Sequence, residues 1–458
     1  MEMQTFKNYK NNNGKNDINL ETHSPLVINE EKKFTFKNLD EYDSDVKYPT
    51  NYAETLMHLF KGNVGPGIFA MGHAVKNSGV VLGSFLILLL GLICLHCEHL
   101  LVDASNHVKQ SLHLHRNPDF APTVELCFAT GPPKLQNLAP YMRKTVNLFL
   151  CMTQLGFCCV YFVFISSNIK QIMDYYNFEY SIHLHMAFIL VPILCSCVVR
   201  NLKYITPLST LANVCMVFGI VVTLYYTCQK PFQDVDNVAK PEQLPLFFGT
   251  ALYAFEGIGL VLPLQNEMKK PKQFGSPLGV LNIGLTAVII LFILTGVFSY
   301  LHYGEQIQGS VSLNLPKEDI LAQSVKVIIP LGVLLSFALQ FYIPIDIMFP
   351  VVQNYLGPFK KPAFAEIVFR IIFVLITFTL AEIIPFLDLF ISLVGAFCST
   401  AIALIFPPVL EIVTKSSLSK LTVWVVVKNC VIIGTGLLGC VTGTYESIRL
   451  IARAFKGS

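Results

Sequence analysis

The chain has 458 residues, of which 53% are hydrophobic and 14% charged, against roughly 45–50% and about 25% in ordinary soluble domains. A mean hydropathy of +0.55 over the whole length requires long uncharged stretches that water-facing surface cannot cover, so a soluble globular enzyme is excluded and the bilayer is the expected solvent. The net charge of +3 comes from Lys and Arg scattered between apolar runs, which leaves no dense basic face for nucleic acid.

The thirteen cysteines lie almost entirely within apolar runs and read as small hydrophobes. The His96-Cys97 pair near His107, and His113 with His115, lack the second ligand pair that a closed metal site needs, so neither a metal nor a disulfide framework is expected.

In chain order, residues 1–52 are rich in Asn, Lys, Asp and Glu with no periodic apolar face, which predicts a disordered cytosolic tail without a signal peptide. From Ala53 onward, apolar runs recur at about the 20-residue length that crosses a hydrocarbon core. Eleven spans are predicted, at 53–76, 80–102, 145–168, 185–200, 206–228, 244–265, 278–302, 321–350, 364–383, 386–409 and 422–445. A short C-terminal tail, 451–458, follows. Lys and Arg concentrate in the tail, which holds seven, and between residues 103 and 144, which hold five, so the positive-inside rule puts the N-terminus in the cytosol. The basic residues of the C-terminal tail point the other way. Lys269, Lys270 and Lys272, after span six, are expected to meet anionic headgroups of membrane lipid.

Two spans carry interruptions. Gly62-Asn63-Val64-Gly65-Pro66-Gly67 breaks span one and Phe255-Glu256-Gly257-Ile258-Gly259 breaks span six, about 190 residues later. If spans one to five (53–228) and six to ten (244–409) are inverted repeats, the breaks occupy corresponding places and span eleven is an appendage. An unwound helix frees N–H groups that suit a carboxylate and carbonyls that suit an ammonium group, so one break matches both ends of a zwitterion. Glycines that only permit close helix packing are the bland alternative.

The blocks LMHLFKGNVGPGIF (56–69), TQLGFCCVYFVF (153–164), PLFFGTALYAFEGIGLVLPLQNEMKKP (245–271), GSVSLNLP (309–316), ALQFYIPIDIMFP (338–350), DLFISLVGAFCSTAIALIFPPVLE (388–411) and GTYES (443–447) resemble the proton-coupled amino acid transporters of the amino acid/auxin permease superfamily. The resemblance covers residues 53–450. It implies an all-α membrane protein of eleven helices in a five-plus-five inverted repeat (LeuT-like) plus one extra helix. It also implies transport of small neutral amino acids, often driven by protons, at the plasma membrane or an endolysosomal membrane. The family's proton-linked histidine falls on His58. The departures are Pro66, which removes a backbone donor beside the pocket, and His73, where the family has an aliphatic residue. The cysteines that the resemblance places outside, after spans three and seven, are missing from 169–184 and 303–320.

The expected substrate contacts are Gly62, Asn63, Gly65, Gly67, Ile68, Tyr161, Phe255, Glu256 and Gly257, with His58 as the proton-coupling group. Glu256 costs on the order of 2.5–3.5 kcal/mol in the membrane unless paired or wet, so it binds a proton, approaches the substrate amine, or holds the half-helices together. Asp346, Asp388, Lys326 and Lys428 receive no transport role, the lysines being long enough to snorkel. The reading is a secondary transporter working by alternating access, with no cofactor beyond a coupling proton and with unknown protein partners. A facilitative carrier and an amino acid sensor signalling from the membrane stay open as alternatives.

Overall fold

The computed structural model describes residues 49–198 and 202–457, the side chains of 202–209 excepted. The expected tail therefore lies outside the described residues up to position 48. Among the described residues the regular structure is helical apart from one bridge between Thr50 and Met268. The first interrupted span is realised as α1 (Tyr52–Asn63) and α2 (Gly67–Lys76), followed by α3 (Val80–Ser111). Two short helices that the sequence reading missed, α4 (Phe120–Ala129) and α5 (Pro133–Gln136), come next. Then run α6 (Ala139–Tyr175), α7 (Ile182–Cys197) and α8 (Leu202–Thr227). The second interrupted span is α9 (Leu244–Ala254) and α10 (Ile258–Glu267), followed by α11 (Val280–Tyr303), α12 (Ile320–Leu356) and α13 (Pro362–Ile383). The tenth span begins as α14 (Leu387–Val394), passes through π turns at Gly395–Ser399 and Ala401–Ile405, and ends as α15 (Phe406–Ser417); α16 (Val423–Gly457) closes the chain.

Nine helices among the described residues are long and apolar enough to cross a membrane. The two halves of span one, and α7 with 16 residues, fall below that length, so the expected number of eleven rests on counting them as spans. Several helices outrun their predicted ends, α6 by seven residues at its C-terminal end, because polar residues continue a helix into water once its apolar part is anchored.

Burial ranks the helices. In the apolar window of the tenth span 83% of residues are buried inside the protein and in that of α6 72%, against 17% in α13 and 28% in α16, so the former build the bundle centre and the latter face lipid. Contact at the centre runs backbone to backbone. A Cβ at Gly395 would stand 1.9 Å from the Gly249 carbonyl oxygen, and one at Gly249 would stand 2.3 Å from that of Ser392, so glycine is what lets α9 touch the tenth span. That approach coincides with the π turns, where the helix widens rather than repeating evenly.

Two lysines depart from expectation. Lys326 does not snorkel: it is 2% exposed and its Nζ donates to the Leu315 carbonyl at 2.8 Å, tying α12 to the preceding loop. Lys428 of α16 is held by Glu411 at 2.6 Å and lies 2.8 Å from His96 Nε2.

Gly395→Ala is expected to destabilise the detergent-purified protein by about 1–3 kcal/mol, as overpacking of a tight contact does. Gly434→Ala, whose added carbon meets nothing within 4 Å, is expected to leave stability unchanged. Thermal denaturation followed by size-exclusion chromatography measures both.

Candidate functional site

The first break has local causes. A capping box, with the Glu54 N–H donating to Asn51 Oδ1 at 2.9 Å and the Asn51 N–H to Glu54 Oε2 at 2.8 Å, starts α1. The helix stops where the Val64 N–H reaches the Phe60 carbonyl, because Pro66 has no N–H to continue the ladder. α2 restarts with the Ile68 N–H on Gly65 O at 3.3 Å and the Phe69 N–H on Pro66 O at 3.1 Å. The N–H groups of Gly65 and Gly67 find no acceptor among the described residues. In the second break Phe255 N–H closes α9 on Ala251 O at 3.0 Å, and the next recorded bond is Leu260 N–H to Gly257 O at 3.0 Å. The N–H groups of Glu256, Gly257, Ile258 and Gly259 are left over, the ordinary condition of a helix N-terminus without a side-chain cap.

The two breaks touch. A Cβ on Gly67 would lie 2.8 Å from Ala254 Cα, and one on Gly257 would lie 2.5 Å from Asn63 Oδ1, so each glycine makes room for the opposite break. Asn63 is 3% exposed, donates from Nδ2 to Leu59 O at 3.0 Å, and keeps Oδ1 without a partner.

A cavity of about 190 Å³ lies against this junction, large enough for several heavy atoms rather than a single water. Gly62 to Gly67 form one wall, and Tyr253, Ala254, Glu256 and Leu260 another. Phe157 and Tyr161 come from α6, Asn213 and Met216 from α8, and Val333, Ser336, Leu339 and Gln340 from α12. Tyr161 Oη stands 4.0 Å from where a side chain at Gly65 would begin, over the break. Phe157 and Tyr253 meet edge to face at 4.6 Å, and Gln340 is hydrogen-bonded to Gln154. At the mouth stand the exposed His58 and the half-buried Lys61.

Beyond the breaks the bundle is shut. Ile68, Phe69 and Met71 are fully buried, His73 Nε2 lies 3.6 Å from Asp388 Oδ2, and Lys76 Nζ donates to the Glu305 carbonyl at 2.6 Å. The segment 233–239 covers this end, with Val80 N–H on Asp236 O at 3.0 Å and Ala239 N–H on Ser78 O at 3.0 Å.

Of the residues expected at the site, His58, Gly62, Asn63, Gly65, Gly67, Tyr161 and Glu256 line the cavity. Ile68, Phe255 and Gly257 do not. Ile68 has turned into the apolar core, Phe255 packs on Phe292 at 5.0 Å, and Gly257 lies behind Asn63. Sequence reading missed Lys61, Asn213, Tyr253, Ser336 and Gln340. Lys61 and Tyr253 adjoin the breaks and were open to suspicion by position, whereas nothing local marks Asn213, Ser336 or Gln340 in their apolar runs.

Residues 49–449 match the family described as transmembrane amino acid transporter protein. The chain is 34% identical over 419 residues to the proton-coupled amino acid transporter-like protein pathetic of Drosophila melanogaster, covering 90% of this chain and 88% of that one. It is 27% identical over 433 residues to the probable amino acid transporter skat-1 of Caenorhabditis elegans, covering 90% and 92%. A structure of MhsT in complex with L-phenylalanine superposes with a TM-score of 0.47 at 13% identity, over 88% of this chain and 100% of that one.

Gly257→Ala, which drives a methyl into the Asn63 amide, is expected to weaken ligand binding at the junction about tenfold or more. Gly259→Ala, whose carbon meets only a Leu150 side-chain atom at 3.6 Å, should keep it. Equilibrium binding of labelled amino acids to the two purified variants distinguishes them.

Proposed function

The chain belongs to the transmembrane amino acid transporter family, and on that premise we propose that it moves small neutral amino acids by alternating access, coupled to protons. The observation that carries this reading is the meeting of two helix breaks at one cavity. Free N–H groups of Gly65 and Gly67, and of the four residues opening α10, offer partial positive charge to a carboxylate. Carbonyls at the ends of α1 and α9 offer the opposite charge to an ammonium group. The zwitterion's two ends are thereby matched by backbone, which leaves the side chain to be chosen by the walls. Those walls supply Phe157, Tyr161, Tyr253, Met216 and Val333, with Ser336, Asn213 and Gln340 as uncharged polar groups, a lining that favours a neutral side chain.

Alternating access follows from the asymmetry between the ends. The mouth at His58 and Lys61 lies at the start of α1, the end that charge distribution assigns to the cytosol, at the plasma membrane or an endolysosome. Opening the far end requires α2 to leave Asp388 and Glu305, contacts made of two ion-pairing side chains and no covalent tie. His58, standing in the mouth, exchanges protons with the water on that side near neutral pH.

Uptake of labelled glycine, alanine and proline into cells expressing the protein is expected to be stimulated by acid, at about pH 5.5 over about pH 7.5, and indifferent to Na⁺. His58→Ala is expected to remove the acid stimulation with surface expression intact. Saturable uptake with no dependence on pH in the wild type would overturn the proton coupling, and no uptake of any amino acid would overturn transport itself.

A further inference from the structure

Glu98 of α3 has no place in the cavity wall and attracts no attention in the sequence, where it sits between Cys97 and His99. In the fold it is 1% exposed, it makes no recorded hydrogen bond, and its Oε2 is buried without a partner. Glu256, in the second break, is 6% exposed, and its Oε2 is likewise buried without a partner. The two carboxyls interact electrostatically across the contact between α3 and the helices of the second break. No cation joins them. The titratable groups that reach this pair are Cys94 on α3 and Cys398 on the adjoining π turn, both thiols. The nearest basic group, Lys428, reaches only as far as Cys97 and is already bound to Glu411.

Two carboxylates cannot both hold their charge in such a place. An ionised group in the bundle survives by pairing with an opposite charge, by water or by proton uptake, and the first is absent here. When two like groups share one site, at least one keeps its proton, and the proton belongs to the pair rather than to either residue. We propose that Glu98 and Glu256 form a buried proton site in the second break, and that the proton held there is the one that moves with the substrate. The inference rests on the transport reading above for its coupling role, and on the geometry alone for the proton.

The division of labour with His58 follows from exposure. His58 faces the open mouth and equilibrates with the water on that side, so it passes protons on but does not carry them. A carried proton has to sit where water from neither side takes it freely. Glu256 meets that condition while touching the cavity, so its protonation state is sensed by whatever lies at the break. A neutral Glu256 lets α9 and α10 approach the substrate without a net charge, and a charged one attracts the substrate's ammonium group.

The test has two readouts on the full-length protein. In purified wild type reconstituted in lipid at neutral pH without Na⁺, the infrared carbonyl stretch of a protonated carboxylic acid is expected, and both Glu98→Gln and Glu256→Gln should lose or shift it. In proteoliposomes with an inward pH gradient, Glu98→Gln is expected to bring amino acids only to equal concentration inside and out, while exchange of internal for external amino acid continues. Glu98→Leu provides a second neutral variant should the amide fail to fold. A carboxylic acid band unaltered in both variants overturns the proposal, as does concentrative uptake retained by Glu98→Gln. A band abolished by adding Na⁺ to the wild type also overturns it, in favour of a sodium site. A band lost in both variants, beside a wild type that moves no amino acid, supports the carboxyl pair and overturns the transport reading instead.

Discussion

In hydrocarbon every backbone N–H needs an acceptor within the protein, and the whole architecture is arranged around two places where that demand is not met. Six N–H groups, two at Gly65 and Gly67 and four from Glu256 to Gly259, end without one among the described residues. Such groups are tolerated at membrane depth only where they line a cavity or are shielded by protein. The breaks are accordingly set against each other, with Asn63 lying on Gly257 and Gly67 on Ala254. α6 and α12 complete the enclosure with aromatic and amide side chains.

The same constraint explains the tight centre. To bring the end of α9 to the first break, the helix must lie close to the tenth span, and Gly249 and Gly395 permit a backbone approach that any side chain would prevent. The tenth span responds with π turns at Gly395–Ser399 and Ala401–Ile405. The lipid-facing helices α13 and α16 carry none of this burden, and their apolar residues face outward.

Charge is placed with equal economy. Ion pairs stand at the ends of the bundle, at Lys76 with Glu305 and Lys428 with Glu411, where water or a partner neutralises them. Glu98 and Glu256 are the exception in the interior, and an exception of that kind in a membrane protein marks function before structure.

The sequence by itself determined the class of the protein, most of the span positions, the location of both breaks and the family blocks. These depend on local signals: runs of apolar residues, a proline without an N–H, and glycines in a helix. It also named seven of the cavity's residues, because a helix break dictates which backbone groups are free nearby. Only the tertiary structure decided the rest. Phe255 adjoins Glu256 in the chain, yet packing on Phe292 turns it away from the cavity. Asn213, Ser336 and Gln340 lie in apolar runs that a sequence window reads as lipid or core, and they reach the cavity only because α8 and α12 cross at that depth. Lys326 was long enough to snorkel but finds the Leu315 carbonyl within the fold. The meeting of Glu98 with Glu256 is the furthest from local signal, since two positions 158 residues apart become one electrostatic site through helix crossing alone.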